Sequence, residues 1–147
     1  MEYRHTQWGY TAIPTFLFFV VILPISATDD EMSTMLTVAM IAFTIAVLGV
    51  VLLFSRLEVT VVGGRIVAAF GFGRPHRETA LADVTAVRQV RNTWIQGWGV
   101  RKITGGWMYN VWGLDAVEIE LSSGKVFQIG TNDPENLLAA ISLQIRR

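Results

Sequence analysis

The sequence predicts a membrane α-hairpin followed by an all-β barrel of about seven antiparallel strands, capped by a C-terminal α-helix. Two stretches without any charged residue, 6–28 and 32–55, occupy the first part of the chain. From residue 56 onward, short runs that alternate apolar and polar residues are separated by glycines, and the last run changes to a helical period. The composition agrees with this architecture, because 16% charged residues is low for a soluble domain, where about 25% is usual.

The two charge-free stretches are each long enough to cross a membrane, since roughly 20 helical residues span a hydrocarbon core of about 30 Å. We predict transmembrane helices over 10–27 and 35–55. Pro14 falls in the first turn of the first helix, whereas Pro24 is expected to kink or end it near the far surface. A cleaved signal peptide is the alternative for the first helix, but its apolar region is longer than the usual span of about 7–15 residues. We therefore predict that the helix is retained.

The charges around the two stretches predict their orientation. Residues 1–9 form a predicted N-terminal tail that carries Arg4, and Arg56 and Arg65 follow the second stretch. The predicted connecting loop, 28–34, has three acidic residues and no basic one. Because basic residues are retained in the cytoplasm, we predict that both termini are cytoplasmic and that the acidic loop is external.

Small residues recur along one face of the second predicted helix: Ala39, Ala42, Ala46 and Gly49. Small side chains allow helix backbones to approach closely in lipid, so this stripe is predicted to pack on the first helix or on another subunit. Neither stretch contains a charged residue, which argues against an ion or proton pathway. The helices are therefore predicted to serve as an anchor.

Residues 56–147 are predicted to form a separate cytoplasmic β-domain. Asp133 followed by Pro134 predicts the start of the terminal helix, as an N-cap and a first-turn proline. Glu118 and Glu120 alternate with apolar residues and are expected on the solvated face of their strand. The segment 73–78 is predicted to be a polar loop. The predicted strands are 57–61, 66–72, 84–90, 97–103, 107–112, 115–121 and 125–129.

Motifs within this domain carry a family resemblance. The pieces are Gly97-Trp-Gly-Val-Arg101, Gly105-Gly-Trp-Met-Tyr-Asn-Val111 and Ile129-Gly-Thr-Asn-Asp-Pro-Glu135. In this order and spacing, residues 56–145 resemble the bacterial pleckstrin-homology-like (PH-like) domain family. The resemblance implies a PH-like barrel, a location in the bacterial inner membrane and a scaffold-like role. It implies no common ligand.

Catalysis finds little support in the residues. His5 and His76 are the only histidines and the chain has no cysteine, so neither a catalytic triad nor a three-histidine metal site is predicted. We predict no enzyme activity, no cofactor and no small-molecule substrate. The basic excess of the β-domain is small, so nucleic acid is not predicted as a partner either.

Basic residues form the first candidate site, for lipid headgroups. A juxtamembrane basic side chain gains about 1 kcal/mol near an anionic leaflet. The alternative is an ordinary solvated loop. The first hairpin offers only Arg65, so specific phosphoinositide binding is not expected. The candidate headgroup residues are Arg74, His76, Arg77, Arg101 and Lys102.

Aromatic residues form the second candidate site, for a partner. Interface hot spots are rich in Trp and Tyr, but the same residues could fill the barrel core, and both interpretations remain open. The candidate partner-binding residues are Trp94, Trp98, Trp107, Tyr109 and Trp112.

The favoured function is a membrane-tethered, non-catalytic interaction or scaffold module that binds the lipid bilayer and a protein partner. That partner is either another membrane protein or a second copy in a homo-oligomer. The alternatives are an anionic-lipid sensor, or an assembly factor or accessory subunit of a larger membrane complex.

Overall fold

The computed structural model describes residues 2–10, 12–27, 34–97 and 99–145. Within these residues, nine strands form two sheets, accompanied by three α-helices and two short 3₁₀ turns. The elements are β1 Tyr3–Trp8, α1 Ala12–Ala27, α2 Thr34–Leu53, β2 Arg56–Val62, β3 Arg65–Phe70, β4 His76–Ala80, β5 Val84–Arg91, β6 Gly99–Ile103, β7 Gly106–Asn110, β8 Asp115–Leu121, β9 Val126–Gly130 and α3 Pro134–Ile145. The 3₁₀ turns are Leu81–Asp83 and Trp94–Gln96.

The predicted tail over 1–9 is instead strand β1 of the first sheet. It pairs antiparallel with β2, from Tyr3 opposite Val61 to Trp8 opposite Arg56. Beyond this pair, the N–H of Gly9 donates to the carbonyl of Ser55 at 2.6 Å. Both apolar helices are therefore inserted between two neighbouring strands of one sheet.

The two apolar helices differ in length, and only the second meets in full the expectation that both could cross a membrane. Among the described residues, α2 alone is long and apolar enough to do so, by length and composition. α1 has 16 residues and continues through Pro24 to Ala27. It packs against α2. The predicted acidic loop lies outside the described residues, apart from Thr34.

The strands form a four-stranded sheet, β1-β2-β3-β4, and a five-stranded sheet, β5-β8-β9-β7-β6. All seven predicted strands are present, and β1 and β4 are additional. The antiparallel prediction is wrong at one place, where β7 and β9 pair in parallel. This arises because β5 and β6, which follow each other in the chain, lie at opposite edges of the sheet, which brings the β6–β7 hairpin beside β9.

One apolar core joins both sheets and α3. The predicted C-terminal helix is confirmed. It begins at Pro134, and Leu137 and Ile141 are fully buried against the sheets. Asp133 holds the start of this helix by accepting a hydrogen bond from the Asn136 side chain at 2.7 Å. Burial of a side chain such as Ile141 stabilises the fold by about 1.5–3 kcal/mol, so α3 is part of the domain.

The outer face of the second sheet departs from the expected solvated surface. Glu118 lies on the central strand β8 and is only 8% exposed. It accepts hydrogen bonds from Arg88 on β5 and from Gln128 on β9. The prediction that Glu118 faces solvent is therefore wrong, because neighbouring strands on both sides cover it. Glu120, nearer the strand end, is partly exposed.

Candidate functional site

Three loops meet where the apolar helices join the β-domain, and we call this region the helix end. It contains Gly9, Ser55, Gly71 and Trp112. The N–H of Gly71 donates to the carbonyl of Arg56 at 2.9 Å, which ties the β3–β4 loop to the start of β2. Trp112, in the β7–β8 loop, meets Tyr10 edge-on with ring centroids 5.9 Å apart. The helix end is therefore built from both sheets.

Large apolar side chains project from the helix end into solvent. Phe72 is 97% exposed beside the last turn of α2, and Trp94 is 78% exposed on the segment that crosses the outer face of the second sheet. The N–H of Asn92 donates to the carbonyl of Leu114 at 2.7 Å, which holds that segment beside the β7–β8 loop. We call these exposed residues the aromatic rim: Trp8, Tyr10, Phe72, Trp94, Ile95 and Trp112.

The composition of the aromatic rim is typical of a membrane–water interface. Trp and Tyr have an apolar body and a polar tip, and they concentrate at the headgroup level. The Arg56 guanidinium carbon lies 5.7 Å from the centroid of the Trp8 ring, so a basic group accompanies the rim. The number of large apolar side chains exposed near the helix end makes it a candidate interaction surface.

The predicted aromatic set is divided among three environments. Tyr109 is 8% exposed and packs in the core, with its ring 5.4 Å from those of Phe70 and Phe127. Trp94 and Trp112 belong to the aromatic rim. Trp107 is partly exposed elsewhere, on β7. Trp98 lies outside the described residues.

Three basic residues converge on a cleft of about 280 Å³. Arg77 lies on β4, Lys102 lies on β6 and Lys125 immediately precedes β9. Trp107 forms part of the cleft wall. We call this set of four residues the basic cleft. Strand pairing explains the convergence, because Lys102 lies opposite Trp107 and Val126 lies opposite Gly106.

Arg77 is held in place within the basic cleft. Its guanidinium carbon lies 4.9 Å from the centroid of the Phe127 ring. Its Nε atom is buried and has no hydrogen-bond partner among the described residues. A buried donor without a partner is uncommon in folded proteins and is often satisfied by a water or an ion.

The predicted basic set is therefore also divided. Arg77 and Lys102 come together in the basic cleft, whereas Arg74 and His76 are exposed at the β3–β4 connection. Arg101 lies against Gly97. Sequence reasoning missed Lys125, which stands alone after a Ser-Ser-Gly turn and reaches the cleft only through the parallel pairing of β7 and β9.

The small-residue stripe faces away from α1, so the first of its two predicted partners is not seen among the described residues. Ala39, Ala42, Ala46 and Gly49 are all exposed, and a Cβ on Gly49 would meet nothing within 4 Å. The face of α2 toward α1 instead carries larger residues, Leu48, Val51 and Leu52. With Ile13, Phe16 and Leu17 of α1, they line a cavity of about 380 Å³. Packing of the stripe on another subunit stays a prediction.

Titratable groups outside the cleft have structural roles. Tyr3 donates to Asp133 at 3.3 Å. Burial raises the pKa of the Tyr3 hydroxyl above its ordinary value of 10.0, and the negative charge of Asp133 raises it further. Hydrogen bonding to Glu118 raises the pKa of Arg88. In the part of the chain that the structure describes, no group of three metal-ligating side chains occurs.

Comparisons with other proteins identify no family. The chain matches no protein-family model and no curated protein sequence.

Proposed function

We propose that this chain is a membrane-tethered, non-catalytic binding module. A two-span anchor holds a PH-like β-domain against the inner leaflet of the bacterial cell membrane, with both termini in the cytoplasm. The domain then presents its remaining surfaces to a protein partner or to a second copy of the chain. The single observation that carries the proposal is the pairing of β1 with β2, which joins both apolar helices to one end of the β-domain.

The helix geometry supports a two-span anchor. The start of α1 and the end of α2 lie close together. The N–H of Gly9, three residues before α1, donates to the carbonyl of Ser55, two residues after α2. Two helices that leave and return at one point and pack together occupy the same layer. α1 alone is about 24 Å long, which fits a hydrocarbon core of about 30 Å only if the bilayer thins or flanking residues reach the interface.

The charges near the anchor agree with a cytoplasmic β-domain. Arg4 and Arg56 lie on neighbouring strands at the domain side of the helices and both pair with Glu58, each at 2.7 Å. Basic groups on this side follow the rule that positive residues stay in the cytoplasm. A reporter fused after residue 147 and active in the cytoplasm would agree with this orientation, and activity in the periplasm would reject it.

The aromatic rim supports direct contact between the β-domain and the bilayer. Phe72 follows Gly71, and a Cβ at Gly71 would approach the Leu53 carbonyl oxygen to 2.5 Å. The Phe72 loop is therefore packed against the last turn of α2. Burying a Phe or Trp side chain yields about 1.5–3 kcal/mol, so Phe72 and Trp94 in the interface would fix the tilt of the domain.

A single-cysteine experiment tests this contact, because the chain has no cysteine. Phe72→Cys and Trp94→Cys, labelled with an environment-sensitive fluorophore in nanodiscs, are expected to show blue-shifted emission that spin-labelled lipids quench. Ser123→Cys, in the β8–β9 turn, is the matched control and should stay solvent-like. Solvent-like emission at positions 72 and 94 would reject bilayer contact.

Self-assembly needs a separate test on α2. If a second copy packs on the small-residue stripe, Ala42→Leu and Ala46→Leu should lower the native mass in mild detergent, because larger side chains separate the helix backbones. Ile41→Phe, which enlarges an exposed side chain on another face of the same helix, is the control. An unchanged mass in all three variants would exclude assembly through this stripe and leave a protein partner, which crosslinking in native membranes would capture.

Anionic-lipid sensing is the second candidate function. Arg74 is exposed on the same loop as Phe72 and His76 is exposed at the start of β4, where an anionic leaflet would attract them. The label at position 72 should then move deeper in nanodiscs with anionic lipid, and added salt should reverse the change. A depth that depends on neither lipid charge nor salt would reject this candidate.

A further inference from the structure

We propose that the basic cleft binds a phosphate group, carried either by a soluble phosphate compound or by a lipid headgroup. This site includes Lys125 and Trp107 beside Arg77 and Lys102. The inference goes beyond the proposed function, because the cleft exists whether or not the aromatic rim contacts a bilayer.

Among the described residues, the three basic side chains of the cleft lack a carboxylate partner, whereas five of the seven other arginines have one, the exposed Arg74 and Arg101 being the exceptions. Elsewhere five arginines form ion pairs with carboxylates: Arg4, Arg56, Arg65, Arg88 and Arg91. Among the described residues, none of Arg77, Lys102 and Lys125 makes such a pair, and no carboxylate lines the cleft. Like charges that share a concave surface repel one another and concentrate an attractive field for an anion.

Arg77 supplies the positioned donor. Stacking on Phe127 orders its guanidinium, and the fork of N–H donors on arginine matches the oxygens of a phosphate. The buried Nε without a partner is one donor of that fork. An oxyanion in the cleft would accept from Arg77 while the ammonium groups of Lys102 and Lys125 balance its charge.

The shape of the cleft limits the ligand. A volume of about 280 Å³ lies just below the usual range of about 300–1,000 Å³ for small-molecule pockets. Trp107 offers an aromatic surface beside Lys102, so the group attached to the phosphate can contact an apolar wall. A phosphate monoester with a small apolar or planar substituent is the class of ligand that fits.

The cleft also depends on a backbone approach that only glycine allows. A Cβ on Gly106 would lie 1.5 Å from the Val126 carbonyl oxygen, so no side chain fits between β7 and β9 at this point. Gly106 therefore lets the start of β9 come beside the β6–β7 turn. Lys125 reaches the cleft for this reason.

The test uses full-length protein in nanodiscs of zwitterionic lipid, titrated with inorganic phosphate and, separately, with sodium chloride at equal ionic strength. Phosphate, but not chloride, is expected to raise the thermal unfolding temperature. Lys125→Gln and Arg77→Gln should weaken phosphate binding about tenfold or more, since each removes a charged contact. Lys125 is exposed in a turn, so its variant keeps the test interpretable if Arg77→Gln fails to fold.

Matched controls are Arg74→Gln and Arg101→Gln, which remove basic residues outside the cleft. They should bind phosphate as the native chain does. Equal stabilisation by chloride, unchanged affinity in Lys125→Gln, or equal losses in the controls would each overturn the site.

A second set of nanodiscs containing phosphatidic acid separates the two sources of phosphate. If a headgroup occupies the cleft, these nanodiscs should compete with inorganic phosphate, and Lys125→Gln should abolish the competition. Undiminished phosphate binding in these nanodiscs would assign the cleft to a soluble phosphate compound.

Discussion

The side chain of Gln7 donates a hydrogen bond from Nε2 to the backbone carbonyl oxygen of Trp112 at 2.5 Å. Gln7 lies on β1, before the apolar helices, and Trp112 lies in the loop between β7 and β8. The Gln7 Oε1 atom also accepts from the N–H of Asn132 at 3.1 Å. A residue that precedes the anchor therefore joins the two sheets of the domain that follows it.

Replacing Gln7 tests this connection. Gln7 is 4% exposed, and Gln7→Leu removes its hydrogen bonds with the Trp112 carbonyl and the Asn132 N–H. We expect a loss of about 1–3 kcal/mol in the free energy of unfolding, measured by denaturant titration in detergent. Arg4→Gln, on the same strand and in an exposed ion pair, should cost no more than about 1 kcal/mol. Equal effects of the two variants would contradict the connection.

The pKa of Tyr3 predicts a loss of stability in alkali. Because burial and Asp133 raise this pKa above its ordinary value of 10.0, the folded chain keeps the Tyr3 proton at a pH where the unfolded chain releases it. The stabilisation that the protonated Tyr3 hydroxyl contributes to the free energy of unfolding is present in full below pH 10 and is lost as the pH rises above 10. Unfolding free energy measured from pH 9 to 11 should fall less steeply in Tyr3→Phe. Tyr10→Phe is the control, and identical slopes in Tyr3→Phe and the native chain would reject the prediction.

The alternation of apolar and polar residues and the glycine turns between the runs were sufficient to predict seven strands, and the helical period predicted α3, because most of these elements contribute an apolar face to the core. β1 and β4 were missed for a physical reason. Both are edge strands with few buried side chains: Gln7 is the one buried side chain of β1, and Thr79 is the one buried residue of β4. Neither shows the apolar face on which the prediction relied.

The candidate sites were predictable as residue types but not as groupings. Parity along β7 places Trp107 and Tyr109 on the same face, so it could not predict that Tyr109 lies in the core while Trp107 borders a cleft. It also could not predict that Met108, on the opposite face, is fully buried. Burial of Met108 follows from the segment after β5, where the Asn92 side chain lies 3.3 Å from the Met108 Sδ atom. Lys125 was missed because it approaches Lys102 only through pairing between strands that are distant in sequence.

Gly71 is expected to fix the junction between α2 and the β3–β4 loop. Gly71 and Gly73 both have positive φ, +46° and +90°, so alanine at either position carries a backbone cost of roughly 1–2 kcal/mol. At Gly71 the new Cβ would also lie 2.5 Å from the Leu53 carbonyl oxygen, whereas at Gly73 it would meet nothing within 4 Å. We therefore expect Gly71→Ala to lower the unfolding free energy clearly more than Gly73→Ala and to increase proteolysis at the junction. Similar losses in both variants would show that the contact with Leu53 is unimportant.

The buried hydrogen bond between Gln128 and Glu118 on the second sheet predicts a rescue by a second substitution. Glu118→Leu removes the acceptor of Gln128, whose Nε2 is buried and whose Oε1 has no partner among the described residues. An unpaired buried amide costs about 1–3 kcal/mol, whereas apolar groups at both positions are nearly neutral. The double variant Glu118→Leu with Gln128→Leu should therefore be more stable than Glu118→Leu alone, as measured by denaturant unfolding.

Glu120→Leu is the matched control. It pairs with Arg88 at 3.5 Å from a partly exposed position, so its loss should cost at most about 1 kcal/mol. A lower unfolding free energy in the double variant than in Glu118→Leu alone would show that the unpaired Gln128 amide is not the cause of the loss.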